Sequence, residues 1–272
     1  IVAEKSSMAG VGERVLIEIC ECDKNGDIKG KIIKNLGSAD ELKSYIEARI
    51  CEHEINQEFG EDTLAEAKAA PDSVTDIEGR RDLRDQLIFT IDGDDARDFD
   101  DAVSLDILEN GNYCLGVHIA DVTHYVRPDS TIDDEAIERG TSVYLVDRTI
   151  PMLPERLCND LCSLRPHEDK LAFSAVFHID EKGKISQEWF GRTIIHSDRR
   201  FTYEEAQKVI ETGEGDMKEE ILTMHNLAQT LRKERFRKGA IAFSRREAKF
   251  YLDEKGKPTG VYFKVQKEAN QL

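Results

Sequence analysis

Residues 87–101 of this chain read Leu87-Ile88-Phe89-Thr90-Ile91-Asp92-Gly93-Asp94-Asp95-Ala96-Arg97-Asp98-Phe99-Asp100-Asp101. The first five residues are apolar or β-branched, which predicts a buried strand. Six aspartates follow within ten positions, and Arg97 is the one basic residue among them. At roughly 4 Å a like-charge pair costs about 1 kcal/mol in water and about 4 kcal/mol near a protein surface. The run is therefore either a solvated loop or a site for a divalent cation. The preceding strand favours the cation, because a rigid edge can direct oxygens at Mg²⁺.

Calcium loops of the EF-hand type do not explain the run. With Asp92 as the first ligand, the sixth position is Arg97 rather than glycine and the twelfth is Val103 rather than glutamate. A second acidic run at residues 23–27 fails the same test, since its sixth position is Ile28 and its twelfth is Lys34. Its Asn25-Gly26 pair lies between two alternating segments and predicts a hairpin turn.

The spacing of the aspartates predicts a break in the strand. In a regular strand Asp98 and Asp100 would point to one face and Asp101 to the other. Convergence on one site therefore requires a turn or bulge at residues 98–101, with a new strand resuming near Ala102. Asp92, at the end of the preceding strand, would supply a fourth carboxylate. Two cations about 3.5–4 Å apart, held by such carboxylates, are the apparatus for in-line phosphoryl displacement.

The acidic run is part of a longer pattern. Residues 90–103, Thr90-Ile91-Asp92-Gly93-Asp94-Asp95-Ala96-Arg97-Asp98-Phe99-Asp100-Asp101-Ala102-Val103, resemble the signature of the RNase II/RNase R family of exoribonucleases, and its RNase R branch in particular. Six further segments resemble the family in order and spacing: Gly79-Arg80-Arg81-Asp82-Leu83-Arg84-Asp85, His118-Ile119-Ala120-Asp121-Val122-Thr123-His124-Tyr125-Val126, Arg139-Gly140-Thr141-Ser142-Val143-Tyr144, Pro151-Met152-Leu153-Pro154-Glu155, Leu161-Cys162-Ser163-Leu164 and Lys238-Gly239-Ala240-Ile241-Ala242-Phe243.

The resemblance implies an α+β fold. Residues 1–37 would be the C-terminal part of a cold-shock-like OB barrel, contributing a β-hairpin, and residues 38–78 a helical linker. Residues 79–272 would be the RNB catalytic domain, with a mixed sheet and packed helices. The chain begins at Ile1 and stops at Leu272, whereas the family continues into further helices, which carry a catalytic arginine, and an RNA-binding barrel. We therefore expect a central fragment of a longer enzyme.

Four aspartates are the expected catalytic residues. Asp92 and Asp101 are the candidates for the tighter cation, and Asp98 is expected to share in cation binding. Asp100 is expected to position the second cation or the attacking water. The expected cofactor is Mg²⁺, with Mn²⁺ as a substitute.

Three aromatic residues are expected to hold RNA, and these roles come from the resemblance alone. Tyr144 matches the tyrosine that stacks on the base at the 3′ end, and Phe243 matches its stacking partner. Tyr203 matches a residue near the 3′ ribose, where contacts to the 2′-OH distinguish RNA from DNA. Stacking on an aromatic ring contributes about 1–3 kcal/mol per base, without regard to sequence. Trp189 and Phe190 have no such match and are assigned to the core.

The resemblance implies a processive 3′-to-5′ exoribonuclease that binds the 3′ end of single-stranded RNA and releases nucleoside 5′-monophosphates. The expected protein is a monomer in the cytoplasm, without a membrane partner. One alternative is a catalytically inactive RNA-binding module of the same fold, which loss of one of the four aspartates would indicate; all four are present. A calcium-binding interaction domain is disfavoured by the loop counts.

Composition by itself leaves the function open. The formal net charge is −17, which argues against a nucleic-acid partner, although basic residues cluster at 80–84, 199–200 and 232–238. The last cluster ends a predicted helix, where it would complement the helix dipole or contact RNA. The six cysteines show no metal-ligand spacing, and we expect reduced, mostly buried thiols, as in a cytosolic protein.

Periodicity predicts several helices. Residues 40–70 are expected to be helical, with Leu42, Tyr45, Ile46 and Ile50 on one face, and Pro71 to end that stretch. Residues 202–205 form a capping box that opens a helix. A longer amphipathic helix should follow, with Ile221, Met224, Leu227 and Leu231 on its apolar face, until Gly239 ends it. His118 lies in an alternating apolar strand and is expected to be structural.

Overall fold

The computed structural model describes residues 2–3, 8–22, 24, 28–72, 74, 77–242, 247–254 and 257–272. The chain forms two compact units. The first comprises Ile1–Phe59, Arg139–Met152 and Phe250–Val261, and the second comprises Gly60–Glu138, Leu153–Lys249 and Tyr262–Leu272. The aspartate run lies in the second unit.

Groups of strands are separated by helices along the chain. The strands are β1 (Val2–Ala3), β2 (Glu13–Cys22), β3 (Ile28–Ser38), β4 (Arg81–Asp82), β5 (Ile88–Asp92), β6 (Asp101–Ile107), β7 (Tyr113–Ala120), β8 (Val143–Tyr144), β9 (Thr149–Ile150), β10 (Asp169–Ile179), β11 (Ile185–His196), β12 (Arg199–Thr202), β13 (Glu247–Leu252) and β14 (Pro258–Lys264). The α-helices are α1 (Leu42–Glu52), α2 (Glu61–Ala69), α3 (Val122–Tyr125), α4 (Thr131–Arg139), α5 (Tyr203–Thr212) and α6 (Lys218–Arg237). A π-helical turn spans Leu157–Leu161, and a 3-10 turn spans Glu268–Gln271.

The first unit contains the predicted hairpin. Strands β2 and β3 pair antiparallel from Glu13 opposite Ser38 to Cys22 opposite Ile28, and β1 runs parallel to β3. The two alternating strands are confirmed, whereas the predicted Asn25-Gly26 turn lies outside the described residues.

The predicted helical segment 40–70 is two helices. Residues 53–60 separate α1 from α2, and α2 ends with extended backbone at Ala70, directly before Pro71, as a proline requires of the residue preceding it. Ile46 and Ile50 are buried as predicted. Tyr45, predicted on the same helix face, is 44% exposed. Its ring lies 5.1 Å from the guanidinium carbon of Arg49, and its hydroxyl accepts hydrogen bonds from that side chain.

A seven-stranded mixed sheet organises the second unit, in the order β12-β5-β6-β7-β10-β11-β4. The neighbouring pairs from β5 to β11 are antiparallel, and the two outer strands, β12 and β4, are parallel to their neighbours. Ile88, Phe89 and Thr90 of β5 are all fully buried, so both faces of the sheet are covered there. The predicted buried strand before the aspartates is therefore confirmed.

Helices α5 and α6 cover one face of this sheet. Thr202 accepts a hydrogen bond from the Glu205 backbone, and the Glu205 side chain accepts one from the Thr202 backbone, which is the predicted capping box. The apolar side of α6 is also confirmed, because its residues join a core with Phe89 and Phe201. The rings of Phe89 and Phe201 meet edge to face at 5.5 Å. Gly239, at φ +98°, follows the helix end.

Two core assignments differ from the prediction. Phe190 is 55% exposed and Trp189 is partly buried, so neither is a fully buried core residue. Both lie on β11, where alternate side chains point to opposite faces of the sheet. Phe190 meets Phe177 edge to face, and Trp189 lies under the guanidinium of Arg81.

The cysteines are less buried than predicted. Cys20, Cys51, Cys114, Cys158 and Cys162 are free thiols, and of these five only Cys162 is buried. The prediction of mostly buried thiols is therefore wrong for the described residues.

None of the helices in the described ranges combines the length and the apolar composition needed to cross a lipid bilayer.

Candidate active site

The acidic turn, residues 93–100, joins two antiparallel neighbours in the sheet. Asp92 is the last residue of β5, and Asp101 is the first residue of β6. Ile88 pairs with Ser104, so the end of β5 and the start of β6 lie at the same edge of the sheet. Residues 98–100 have no regular secondary structure, which confirms the predicted interruption. The fold thereby places Asp92 and Asp101 at one edge, with the turn between them.

Electrostatics link four of these aspartates. Burial, together with the charges of Asp101 and Asp100, raises the pKa of Asp92 to about 6, whereas Thr90 and Arg200 oppose the shift. Loss of hydration raises the pKa of Asp100, with contributions from Asp98 and Asp101. Loss of hydration also raises the pKa of Asp101. Carboxylates that raise one another's pKa values are close enough to repel, and a cation would relieve that repulsion.

The donor set suits a hard divalent cation. Oxygen atoms of carboxylates are the ligands that Mg²⁺ and Ca²⁺ prefer. Asp92 Oδ2 is buried and has no hydrogen-bond partner among the described residues, although buried polar atoms are normally paired. No three His, Cys, Asp or Glu side chains of the described ranges are already arranged as a metal-binding group. The residues therefore suit the ion chemically without forming a closed cage.

Tyr203 is brought close to the aspartates. It begins α5 directly after β12, whose Thr202 pairs with Asp92. Burial raises the pKa of Tyr203, and the charges of Asp92 and Asp101 raise it further. Tyr203, Asp101 and Asn270 line a cavity of about 110 Å³. The Asn270 side chain opposes the rise in the pKa of Tyr203.

The roles of the other two aromatic candidates are not tested by the described residues of the second unit. Tyr144 is 70% exposed and ends β8, which belongs to the first compact unit. Phe243 lies outside the described residues. Their roles stay predictions.

His118 is structural, as predicted. Its side chain is fully buried, with Nε2 at 3.0 Å from Ser104 Oγ and Nδ1 at 2.7 Å from Ser174 Oγ. A Cβ on Gly116 would lie 2.7 Å from His118 Nε2, so only glycine leaves room for this ring. Burial lowers the pKa of His118 to about 4, and the ring is neutral at pH 7.

We expect His118 to make stability depend on pH. The pKa of about 4 in the folded state lies below the ordinary value of about 6.5, so the unfolded chain binds the proton more readily. The neutral His118 ring therefore contributes about 3 kcal/mol to the free energy of unfolding. This contribution is complete above pH 6.5 and is lost as pH falls toward 4. Urea unfolding of the wild type and His118→Gln across this range should show the difference between them shrinking as pH falls. A constant difference contradicts the prediction.

Two residues that hold the acidic turn were not predicted as site residues. Arg200, on β12, donates from Nη2 to the carbonyl oxygens of Gly93 and Asp94, and its guanidinium lies 5.6 Å from the Phe99 ring centre. Ser163 contacts the backbone on both sides of Asp98. The sequence showed Arg200 only as part of a basic pair and Ser163 only within a matching segment, because both contacts span more than 60 residues.

Known proteins share this architecture. Residues 80–272 match the RNB domain, and residues 1–60 match the cold shock domain. The chain is 43% identical over 262 residues to DIS3-like exonuclease 2 of Schizosaccharomyces pombe, covering 89% of this chain and 28% of that protein. It is 40% identical over 283 residues to Ribonuclease R of Thermotoga maritima, covering 100% of this chain and 40% of that protein.

Solved structures show the same fold. Mycoplasma genitalium RNase R in complex with ribose-methylated single-stranded RNA superposes with a TM-score of 0.90 at 26% identity, covering 99% of this chain and 44% of that chain. The chain thus spans less than half the length of these relatives. The mixed sheet with its acidic turn is an RNB domain. The chain belongs to the RNase II/RNase R family.

Proposed function

We propose that this protein is a processive, Mg²⁺-dependent 3′-to-5′ exoribonuclease that hydrolyses single-stranded RNA to nucleoside 5′-monophosphates. The observation that carries the proposal is the edge of the sheet where Asp92 and Asp101 meet, with an unpartnered, buried oxygen on Asp92. Family membership supports the reaction class and its direction.

The four aspartates divide between two proposed roles. Asp92, Asp98 and Asp101 would hold the cations, and Asp100 would orient the attacking water or the second cation. The chemistry that two bound divalent cations supply to phosphodiester hydrolysis is activation of a water nucleophile and stabilisation of the leaving oxygen. Tyr203 would contact the terminal ribose, which its position beside Asp92 and Asp101 supports.

The RNA 3′ end would be held by stacking. Tyr144 would stack on the terminal base, with Phe243 as its partner. An exposed tyrosine can offer a ring face to a base, and Tyr144 is 70% exposed. The protein would act as a cytoplasmic monomer.

The reaction itself is tested with 5′-labelled single-stranded RNA and the full-length protein in Mg²⁺. We expect the labelled RNA to shorten from its 3′ end, with nucleoside 5′-monophosphates as the released product. Cleavage within the RNA, or products with a 3′-phosphate, would contradict the proposal. RNA binding without any hydrolysis would support the inactive RNA-binding module instead.

Cation binding should stabilise the fold. Mg²⁺ or Mn²⁺ should raise the melting temperature of the chain, because it removes the repulsion among the aspartates, and chelator should reverse the change. A cation at 100 times its Kd stabilises by about 2.7 kcal/mol. The measurement is differential scanning fluorimetry over a cation titration.

A double variant, Asp92→Asn/Asp101→Asn, should lose this response. Asp94→Asn/Asp95→Asn is its matched control, since it removes the same charge from exposed positions of the same turn. The control should respond as the wild type does. If the Asp92/Asp101 variant also responds fully, these residues do not bind the cation.

Loss of the Tyr144 ring should change the end products. In the full-length protein Tyr144→Ala should leave longer final oligonucleotides while hydrolysis continues, because short RNA depends most on stacking at its 3′ end. Tyr144→Phe keeps the ring and should give wild-type products. The measurement is a denaturing gel at single-nucleotide resolution. Unchanged product lengths for Tyr144→Ala would remove Tyr144 from the site.

A further inference from the structure

The acidic turn has few contacts of its own to hold its shape. Among its residues, a hydrogen bond of 3.2 Å from the Ala96 backbone to the Gly93 carbonyl closes one short turn. Four like charges at positions 94, 95, 98 and 100 favour an open loop. A defined orientation of these carboxylates therefore depends on residues outside the turn.

Ser163 supplies such a contact at Asp98. Its side chain is fully buried, and its Oγ accepts a hydrogen bond of 3.1 Å from the Phe99 backbone N–H. The same hydroxyl donates a hydrogen bond of 2.7 Å to the Arg97 carbonyl. One hydroxyl group thus uses both its donor and its acceptor capacity on the acidic turn.

These two hydrogen bonds determine how Asp98 is oriented. The Arg97 carbonyl belongs to the peptide plane before Asp98, and the Phe99 N–H belongs to the peptide plane after it. The rotation of each plane about the Asp98 Cα is described by φ and ψ, the two soft dihedrals of a residue. By holding both planes, Ser163 restricts φ and ψ of Asp98, and with them the direction of the Asp98 side chain.

The neighbouring peptide planes are held by backbone groups instead. The Leu164 N–H donates to the Phe99 carbonyl at 2.9 Å, and the Ala120 N–H donates to the Asp100 carbonyl at 2.9 Å. These contacts cannot be removed by changing a side chain. The contact from Ser163, in contrast, is made by a side chain. A substitution at Ser163 can therefore alter the orientation of the turn near Asp98.

The local structure around Ser163 is also unusual. Ser163 follows the π-helical turn Leu157–Leu161, in which the Cys162 N–H donates to the Leu157 carbonyl at 2.9 Å. Such turns are rare and frequently occur at functional sites.

We propose that Ser163 is a positioning residue that orients Asp98 toward the cation site through the two peptide groups flanking Asp98. The inference rests on the proposed function, because it assumes that Asp98 helps to bind the cation. Ser163 itself contacts only the backbone of the acidic turn in this proposal, and it touches neither RNA nor the cation.

The first test needs no activity measurement. Ser163→Ala should accelerate hydrogen exchange at the Phe99 amide, whose acceptor is the lost hydroxyl. It should also weaken Mn²⁺ binding, followed by electron paramagnetic resonance, by about 10- to 100-fold, as is typical when a residue that orients a metal ligand is removed. Ser163→Thr keeps the hydroxyl and should restore most of the affinity.

The second test separates positioning from folding in the full-length protein. Ser163→Ala should lower kcat by about 10- to 100-fold and raise the Mg²⁺ concentration for half-maximal rate, with RNA affinity unchanged. Ser197→Ala is the matched control, because Ser197 is buried and its hydroxyl has no partner among the described residues. The control should keep wild-type values. If Ser163→Ala does not fold, Ser163→Cys, a weaker donor of similar size, replaces it in both tests.

The possible outcomes are distinct. An active wild type whose Ser163→Ala variant keeps its kcat and Mn²⁺ affinity within twofold overturns the inference and leaves the proposed function intact. Equal losses of kcat, RNA affinity and melting temperature in Ser163→Ala also overturn it, since they indicate a structural role. A wild type that neither binds Mn²⁺ nor degrades RNA overturns the proposed function and the inference with it.

Discussion

Replacing Asp100 by asparagine should lower kcat by at least ~10²-fold, the usual loss when one electrostatic stabiliser of a transition state is removed. RNA affinity should change little. The substitution keeps the size of the side chain and removes one negative charge near the phosphate, so repulsion in the ground state falls and binding tightens slightly. A group that acts mainly on the transition state lowers kcat in this way.

The measurement is single-turnover kinetics beside a filter-binding isotherm, in the full-length protein. Asp95→Asn is the matched control, because it removes the same charge from an exposed position of the same turn. An aspartate that only supports the fold would lower the melting temperature, binding and rate together. A near-normal kcat for Asp100→Asn would remove Asp100 from the catalytic set.

Loss of the Arg80 side chain should destabilise the second unit by about 3–5 kcal/mol, as expected when one partner of a buried ion pair is removed. Arg80 Nη2 lies 2.7 Å from Asp121 Oδ2, and the two side chains are only 3% and 2% exposed. Burial alone would raise the pKa of Asp121, but hydrogen bonds from Arg80 and Thr123 hold it below its ordinary value. Arg80→Ala leaves this charged carboxylate buried, with the Nε of Arg192 at 3.7 Å as the remaining cation.

Urea unfolding measures the effect, with Arg84→Ala as the control. Arg84 pairs with Asp82 on the surface, where its side chain is 37% exposed, and the expected loss is only about 0–1 kcal/mol. A double variant, Arg80→Met/Asp121→Leu, should recover much of the loss, since it removes both buried charges. Similar losses of stability for Arg80→Ala and Arg84→Ala would show that the buried ion pair contributes no more to stability than the exposed one.

The family and the acidic character of the candidate site were predictable because both depend on short segments of sequence. The apolar run before Asp92 predicts a strand, and the alternation rule then requires an interruption at residues 98–101. The structure has both features. The capping box at Thr202 and the apolar side of α6 are local in the same sense, since neighbouring residues on one helix determine them.

Tertiary structure decided which residues support the site. Arg80 belongs to a basic cluster in the sequence, yet its charge is used within the protein, by Asp121 41 residues away. Phe190 was expected in the core and is exposed, because burial on a strand depends on what covers each face of the sheet. Neither property is encoded in the neighbouring residues.

By itself the sequence therefore determined the strand, the broken segment of aspartates, the capped helices and the family. Tertiary structure determined the rest. The order of strands in the sheet brings Tyr203 beside Asp92 and Asp101 and places Arg200 against Gly93, 107 residues away. The segment after the π-helical turn places Ser163 against Phe99, 64 residues away. Local patterns restrict φ, ψ and the side-chain direction of a segment. Contacts between distant segments depend on how the whole sheet is assembled, and these contacts orient the carboxylates that the sequence supplies.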